Sequence, residues 1–146
     1  MQLVDLEPKL GEEEIRELLE ACVQYDPELL DRAVEEYRSD PELSILGLEV
    51  EDEIVGLLGI RSRQDNTVLI RHLYVKPEVR GNGLGRAQLL ELISLRNPDH
   101  IIAEVEEESV DFFRNVGFTI VSFKEEDGQE KFRCTYSVHE QAEDEG

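Results

Sequence analysis

The stretch Leu73-Tyr74-Val75-Lys76-Pro77-Glu78-Val79-Arg80-Gly81-Asn82-Gly83-Leu84-Gly85-Arg86 constrains this chain more than any other. Glycines alternate at 81, 83 and 85 between a strand-like run and a helix-like run, with Arg80 and Arg86 on either side. A backbone without Cβ atoms at alternate positions can reach positive φ and approach a ligand closely, so that its N–H groups point at one anion. A helix beginning near Gly83 adds the unpaired donors of its first turn and about half a positive charge at its N-terminus. The stretch therefore reads as a phosphate cradle on a strand-to-helix turn. Spacing narrows the kind. A P-loop needs Gly-Lys-Ser/Thr, whereas Gly85 is followed by Arg86 and Ala87. The dinucleotide fingerprint G-x-G-x-x-G fails in both registers, because Arg86 or Gln88 stands where its last small residue belongs.

Around this cradle the hydrophobic period sets the elements. Residues 2–7 read as an edge strand ended by Pro8. From Gly11 the period changes: Ile15, Leu18, Leu19 and Cys22 recur at helical spacing behind first-turn glutamates, and Leu30, Ala33, Val34 and Tyr37 repeat the pattern after Pro27. This helical pair is expected to form a flap over one edge of a sheet. Residues 43–50 and 54–60 read as an antiparallel hairpin turned at Glu51-Asp52-Glu53, and 68–75 as a strand with Val68, Ile70, His72 and Tyr74 on one face. Residues 84–95 form a helix apolar almost all round, 100–105 a short strand and 109–116 a helix stopped by Gly117. A last hairpin, 118–123 with 132–138, turns at Asp127-Gly128. The order β-α-α-β-β-β-α-β-α-β-β belongs to a mixed α/β (α+β) chain and not to a purely doubly wound one. A single domain is expected over 1–138, followed by an acidic, disordered tail over 139–146.

After the strand ending in Tyr74-Val75, residues Arg80, Gly83 and Gly85 satisfy the pattern Arg/Gln-x-x-Gly-x-Gly/Ala. A second block, Ala103-Glu104-Val105-Glu106-Glu107-Glu108-Ser109-Val110-Asp111-Phe112-Phe113-Arg114-Asn115-Val116-Gly117-Phe118, runs from strand to helix with an aromatic pair and a closing Gly-Phe. In this order and separation the two blocks resemble the GNAT superfamily of N-acetyltransferases, in its small bacterial-type single-domain form, over residues 2–138. The resemblance implies an acyl-CoA N-acyltransferase fold, with a mixed central sheet splayed between its fourth and fifth strands. It also implies acetyl-CoA as co-substrate and no metal. The backbone of Leu73, Tyr74 and Val75 would pair with the pantetheine arm. Arg80, Gly81, Asn82, Gly83, Leu84, Gly85 and Arg86 would hold the pyrophosphate, with Ser109 and Phe113 completing the cofactor site. A main-chain N–H near Tyr74 or Val75 would polarise the thioester carbonyl. The implied reaction is direct attack of a primary amine in a ternary complex.

An amine arrives mostly as ammonium, so a nearby base helps. His72 and Glu104 lie on the two strands that the resemblance assigns to the acceptor side, and they are the candidate catalytic residues. An ordinary histidine titrates at about 6.5, which suits the task. The competing readings are a histidine bonded within the sheet and a solvated strand-end carboxylate. Phe113 departs from the family pattern, since many members carry tyrosine four residues before the glycine of the closing Gly-Phe, where its hydroxyl can protonate the leaving thiolate. A second class therefore stays open: an acyl-CoA-binding module on the same fold with weak or lost catalysis.

Charge bears on the partners. A net charge of −20 argues against nucleic acid, whose binding is dominated by cations on phosphates. Residues 11–42 hold twelve acidic and three basic residues, net −9, whereas residues 71–86 hold four basic and one acidic, net +3. That contrast favours a cationic acceptor, small or peptidic, against the alternative that the acids merely keep the surface soluble. Cys22 and Cys134 show no metal-type spacing and read as buried small hydrophobes. No run approaches the ~20 apolar residues of a membrane span, and the start lacks a signal pattern, so a cytoplasmic monomer or homodimer without membrane partner is expected.

Overall fold

The structure, a computed structural model, describes residues 1–139. The expected tail falls, apart from His139, outside the described residues. The chain forms two compact units, Met1–Ser62 with Arg71–Asn97, and Arg63–Ile70 with the chain from Pro98 onward.

In the first unit β1 (Gln2–Asp5) pairs antiparallel with β2 (Leu43–Val50), which pairs antiparallel with β3 (Glu53–Ser62). The second half of β4 (Thr67–Val75) lies beside β3. Helix α1 (Glu13–Cys22) buries Ile15, Leu18 and Leu19, and α2 (Pro27–Ser39) buries Leu30, Ala33, Val34 and Tyr37. Both apolar stripes fall where the sequence period puts them. Asp26 starts α2 by accepting from the N–H groups of Glu28 and Leu29, with Pro27 supplying a preset φ in the first turn. The stripes pack on Leu6, Leu10, Leu43, Ile45, Ile54 and Leu57 in one core, against which Tyr74 also leans. Each fully buried leucine of that core contributes about 2 kcal/mol from apolar burial.

Helix α3 (Leu84–Arg96) buries Gln88, Leu89 and Leu92. Leu90 and Leu95 are exposed, so its buried stripe is narrower than the all-round apolar sequence suggests. Gln88 is an oddity, fully buried with no partner for either amide atom among the described residues. Its room comes from Gly56 of β3, where a Cβ would come within 2.7 Å of Gln88 Nε2 and 2.9 Å of the Tyr74 carbonyl oxygen.

In the second unit the first half of β4 runs parallel to β5 (His100–Val105), in a register from Thr67/His100 to Ile70/Ala103. Strand β7 (Glu130–Ser137) is antiparallel both to β5 and to β6 (Thr119–Lys124), so the last strand is inserted between the two before it. Helix α4 (Glu107–Asn115) begins two residues earlier than its apolar pattern suggests, because glutamates are favourable in a first helical turn. It buries Val110 and Phe113, the Phe113 ring packing edge-on against Phe118, and Cys134 of β7 is buried as well. The strand order β1-β2-β3-β4-β5-β7-β6 is that of a mixed seven-stranded sheet, and the element order matches the one read from sequence. Two short 3-10 turns, Glu7–Lys9 and Pro77–Val79, were not anticipated.

Candidate active site

The glycine loop belongs to the first unit. Past β4 the chain makes the Pro77–Val79 turn, and Asn82 steadies it by donating from Nδ2 to the Val79 carbonyl at 3.0 Å. Gly81 and Gly83 have φ of 86° and 74°. A Cβ at either would touch nothing within 4 Å, so packing does not select glycine here. The left-handed backbone does, together with open space above the loop. Gly83 is also the residue from which α3 springs, and no side chain caps that helix start. Its first-turn N–H donors are therefore left for a ligand, with Arg80 and Arg86 exposed beside them. Donors, dipole and guanidinium groups fit a pyrophosphate. Arg80 lies back along β4: its Nε–H donates to the Val75 carbonyl at 2.8 Å, and the guanidinium stands 5.2 Å from the centre of the Tyr74 ring.

His72, also on β4, is held by a residue that sequence reading treated only as core. Tyr37 of α2 and His72 share a hydrogen bond between Oη and Nδ1 at 2.6 Å. Gly59 of β3 makes this possible, since a Cβ there would collide with the Tyr37 hydroxyl and come within 3.2 Å of Nδ1. Burial foremost, and with it the positive charge of Arg71, pulls the His72 pKa down to about 4. The expectation of titration near 6.5 therefore does not hold, and the ring is neutral at pH 7. Burial pushes the Tyr37 phenol up, against an opposing pull from Arg71. The signal that could have exposed the pair was a glycine inside a strand, which often marks a close approach.

Neighbouring charges are paired across the same unit. Arg71 Nη2 donates to Glu36 Oε2 at 3.1 Å while its guanidinium sits 5.1 Å from the Tyr37 ring centre. Lys76 Nζ lies 3.4 Å from Glu53 and 3.9 Å from Glu14. Two of the cations counted in the positive stretch are thus matched by acids of α1 and α2.

Glu104, Ser109 and Phe113 belong to the second unit. Glu104 of β5 stands opposite Arg133 of β7, its Oε2 accepting from Nε at 2.9 Å and Nη2 at 2.7 Å. An exposed pair of this kind contributes about 0–1 kcal/mol to stability. Ser109 is half-buried in the first turn of α4. Phe113 is 4% exposed, its ring edge-on to Phe112 and Phe118 at 5.1 Å each, so it offers little surface to a ligand. Among the described residues no group of three His, Cys, Asp or Glu side chains is disposed to hold a metal ion.

The pattern of the acetyltransferase (GNAT) family matches residues 12–118, and the chain belongs to that family. Its members are acetyltransferases, and the co-substrate is acetyl-CoA. No curated protein matches the chain. Solved structures with the same fold include an aminoglycoside 6'-N-acetyltransferase complexed with coenzyme A, 16% identical over 94% of this chain and 97% of that one, with a TM-score of 0.71. A chimera of the spermidine N-acetyltransferase SpeG from Vibrio cholerae and hSSAT is 19% identical over 96% and 98%, with a TM-score of 0.75. An acetyltransferase from Thermus thermophilus is 17% identical over 94% and 97%, with a TM-score of 0.72. Among the described residues no helix is long and apolar enough to cross a membrane.

Proposed function

We propose that this protein is a cytoplasmic N-acetyltransferase that moves the acetyl group of acetyl-CoA onto a primary amine of a cationic small molecule or peptide. The observation that carries this reading is the loop through Gly81 and Gly83, left-handed, open above and joined to an uncapped helix start. It would hold the pyrophosphate, with Arg80 and Arg86 adding charge and the backbone of 73–75 taking the pantetheine amides. Acetyl-CoA supplies a thioester that an amine can attack directly. The proton lost from the ammonium would pass to water.

A cationic acceptor is supported by the acids of α1 and α2. After Glu14 and Glu36 have met Lys76 and Arg71, Glu12, Glu13, Glu17, Glu28 and Glu35 still face solvent. The aminoglycoside and spermidine substrates named for two structural neighbours are themselves polyamines. Long-range attraction, screened within about 8 Å at physiological salt, would draw such a molecule to the acidic helices. A second reading, a CoA-binding module with weak chemistry, is favoured by Phe113, which has no hydroxyl to offer a leaving thiolate and is buried as well.

Thiol release from acetyl-CoA with lysine peptides, polyamines, aminoglycosides and amino acids separates these readings. Turnover should be best with a polyamine, and its kcat/KM should fall with ionic strength more than that of a monoamine. A neutral or anionic best substrate, or a rate for the polyamine indifferent to salt, overturns the acceptor assignment. Tight acetyl-CoA binding without turnover on any amine establishes the binding module.

A further inference from the structure

Tyr37 is 2% exposed, so its hydroxyl proton needs an acceptor inside the protein. Its hydroxyl shares a hydrogen bond with His72 Nδ1, and its other side-chain partner, the Arg71 guanidinium, has only donors and cannot take the phenol proton. If Nδ1 carried the ring proton, it would donate to the phenol oxygen and leave the buried phenol hydrogen unsatisfied. A phenol is moreover the better donor of the two, and an imidazole nitrogen the better acceptor. The surroundings reinforce the arrangement. From β4, Arg71 places positive charge over the Tyr37 ring, which strengthens the hydroxyl as a donor and opposes an imidazolium. From α2, Glu36 is already bound to Arg71. From α1, the Cys22 thiol is kept protonated by burial, and from β3, Gly59 contributes no side chain.

We propose that Tyr37 is a positioning residue: its O–H donates to His72 Nδ1, fixes the ring proton on Nε2, and makes His72 a neutral hydrogen-bond donor to the acetyl carbonyl oxygen. His72 then does not serve as the base for the amine. This rests on the proposed function and on the acceptor-side position that the family resemblance implies for His72, immediately before the 73–75 backbone. In the transfer, the amine nitrogen bonds to the acetyl carbon and the carbon–sulfur bond breaks, the thiolate leaving with the electron pair. The amine proton goes to water, and the Nε2 proton stays on His72 throughout. A neutral imidazole kept from charging is suited to this work, since it stabilises developing negative charge without giving up its proton.

The test combines NMR of the imidazole nitrogens in the full chain with kinetics. His72 should show a bare Nδ1 and a protonated Nε2, with no titration from about pH 5 to 8, and Tyr37→Phe should mix the two tautomers. His72→Gln, whose amide N–H reaches toward the position of Nε2–H but cannot take up a proton, should retain kcat within about tenfold. His72→Ala should lose about a hundredfold, the scale for one donor to an oxyanion. Tyr37→Phe should lower kcat about tenfold with KM for acetyl-CoA unchanged, and should add nothing in the His72→Ala background. A proton found on Nδ1, titration near pH 6.5, a Gln variant as poor as Ala, or an equal Tyr37→Phe cost in the Ala background overturns the proposal. Should His72→Ala keep wild-type kcat, the placement of His72 in the site is what fails, and the donor role falls with it even if the tautomer is as proposed.

Discussion

Replacing Gly83 by valine separates the loop's structural cost from its functional one. The residue has φ of 74°, and a Cβ there would meet nothing within 4 Å. The folded state therefore suffers backbone strain but no clash, about 1–2 kcal/mol for an L side chain in the left-handed region. For a chain of 146 residues, each kcal/mol lowers the melting temperature by roughly 2–4 °C, so the variant should stay folded at 25 °C. Ligand binding is hit harder. Relaxing the strain re-aims the N–H groups at the start of α3, and a hydrogen bond to a charged acceptor is worth about 1.5–3 kcal/mol. Losing even one, with methyl groups filling the open space, should weaken acetyl-CoA binding by about a hundredfold. Gly128→Val is the matched control: φ is 83°, its Cβ would also stand in open space, and it sits in the β6–β7 turn. Calorimetric titration with acetyl-CoA and thermal melts on both variants decide the matter. The reasoning is refuted if Gly83→Val binds as wild type does, or if Gly128→Val loses affinity equally.

Three further outcomes follow from neighbouring residues. Arg80→Ala removes the donor to the Val75 carbonyl and an exposed cation, and should lower acetyl-CoA affinity about tenfold with little change in melting, as read by titration calorimetry. Because the folded pKa of His72 lies near 4, below its unfolded value, protonation favours the unfolded chain. The stability at stake is present above about pH 6.5 and is lost as pH falls toward 4, amounting to about 3 kcal/mol. Urea midpoints at pH 7 and 4.5 should therefore differ less in His72→Gln than in wild type, and equal differences would count against the burial argument. Gly59→Ala should destabilise by about 1–3 kcal/mol through overpacking, and less in a Tyr37→Phe background, where the nearest colliding atom is gone. Identical losses in the two backgrounds, measured by urea unfolding, would show that some other contact is responsible.

The hydrophobic period carried most of the fold. Ile15, Leu18 and Leu19, and Leu30, Ala33, Val34 and Tyr37, are buried as their spacing requires, and β5 occupies the residues assigned to it. Such features are local, set by side chains one turn or one pleat apart. The loop was legible for the same reason, since positive φ is written in glycine. What could not be read were pairings across long separations. Tyr37 meets His72 thirty-five residues away, and a tyrosine on a helical stripe has the same pattern whether its hydroxyl is idle or bonded. Glu104 finds Arg133 only because β7 enters between β5 and β6, and no periodicity reports that strand order. The lowered pKa of His72 depends on burial beneath α2 and could not be inferred from its own strand.

Strand β3 gives up side chains at Gly56 and Gly59, and neighbours use the vacated space on both faces: Gln88 at one and Tyr37 with His72 at the other. Strand propensity alone favours branched residues at such sites. Selection from a random library should nonetheless return almost only glycine at these two positions, while Val55 and Ile60 beside them accept other branched side chains. A bare strand of this kind acts as a template on which helices from both layers are registered, and its two smallest residues would be among the slowest to change as the chain diverges.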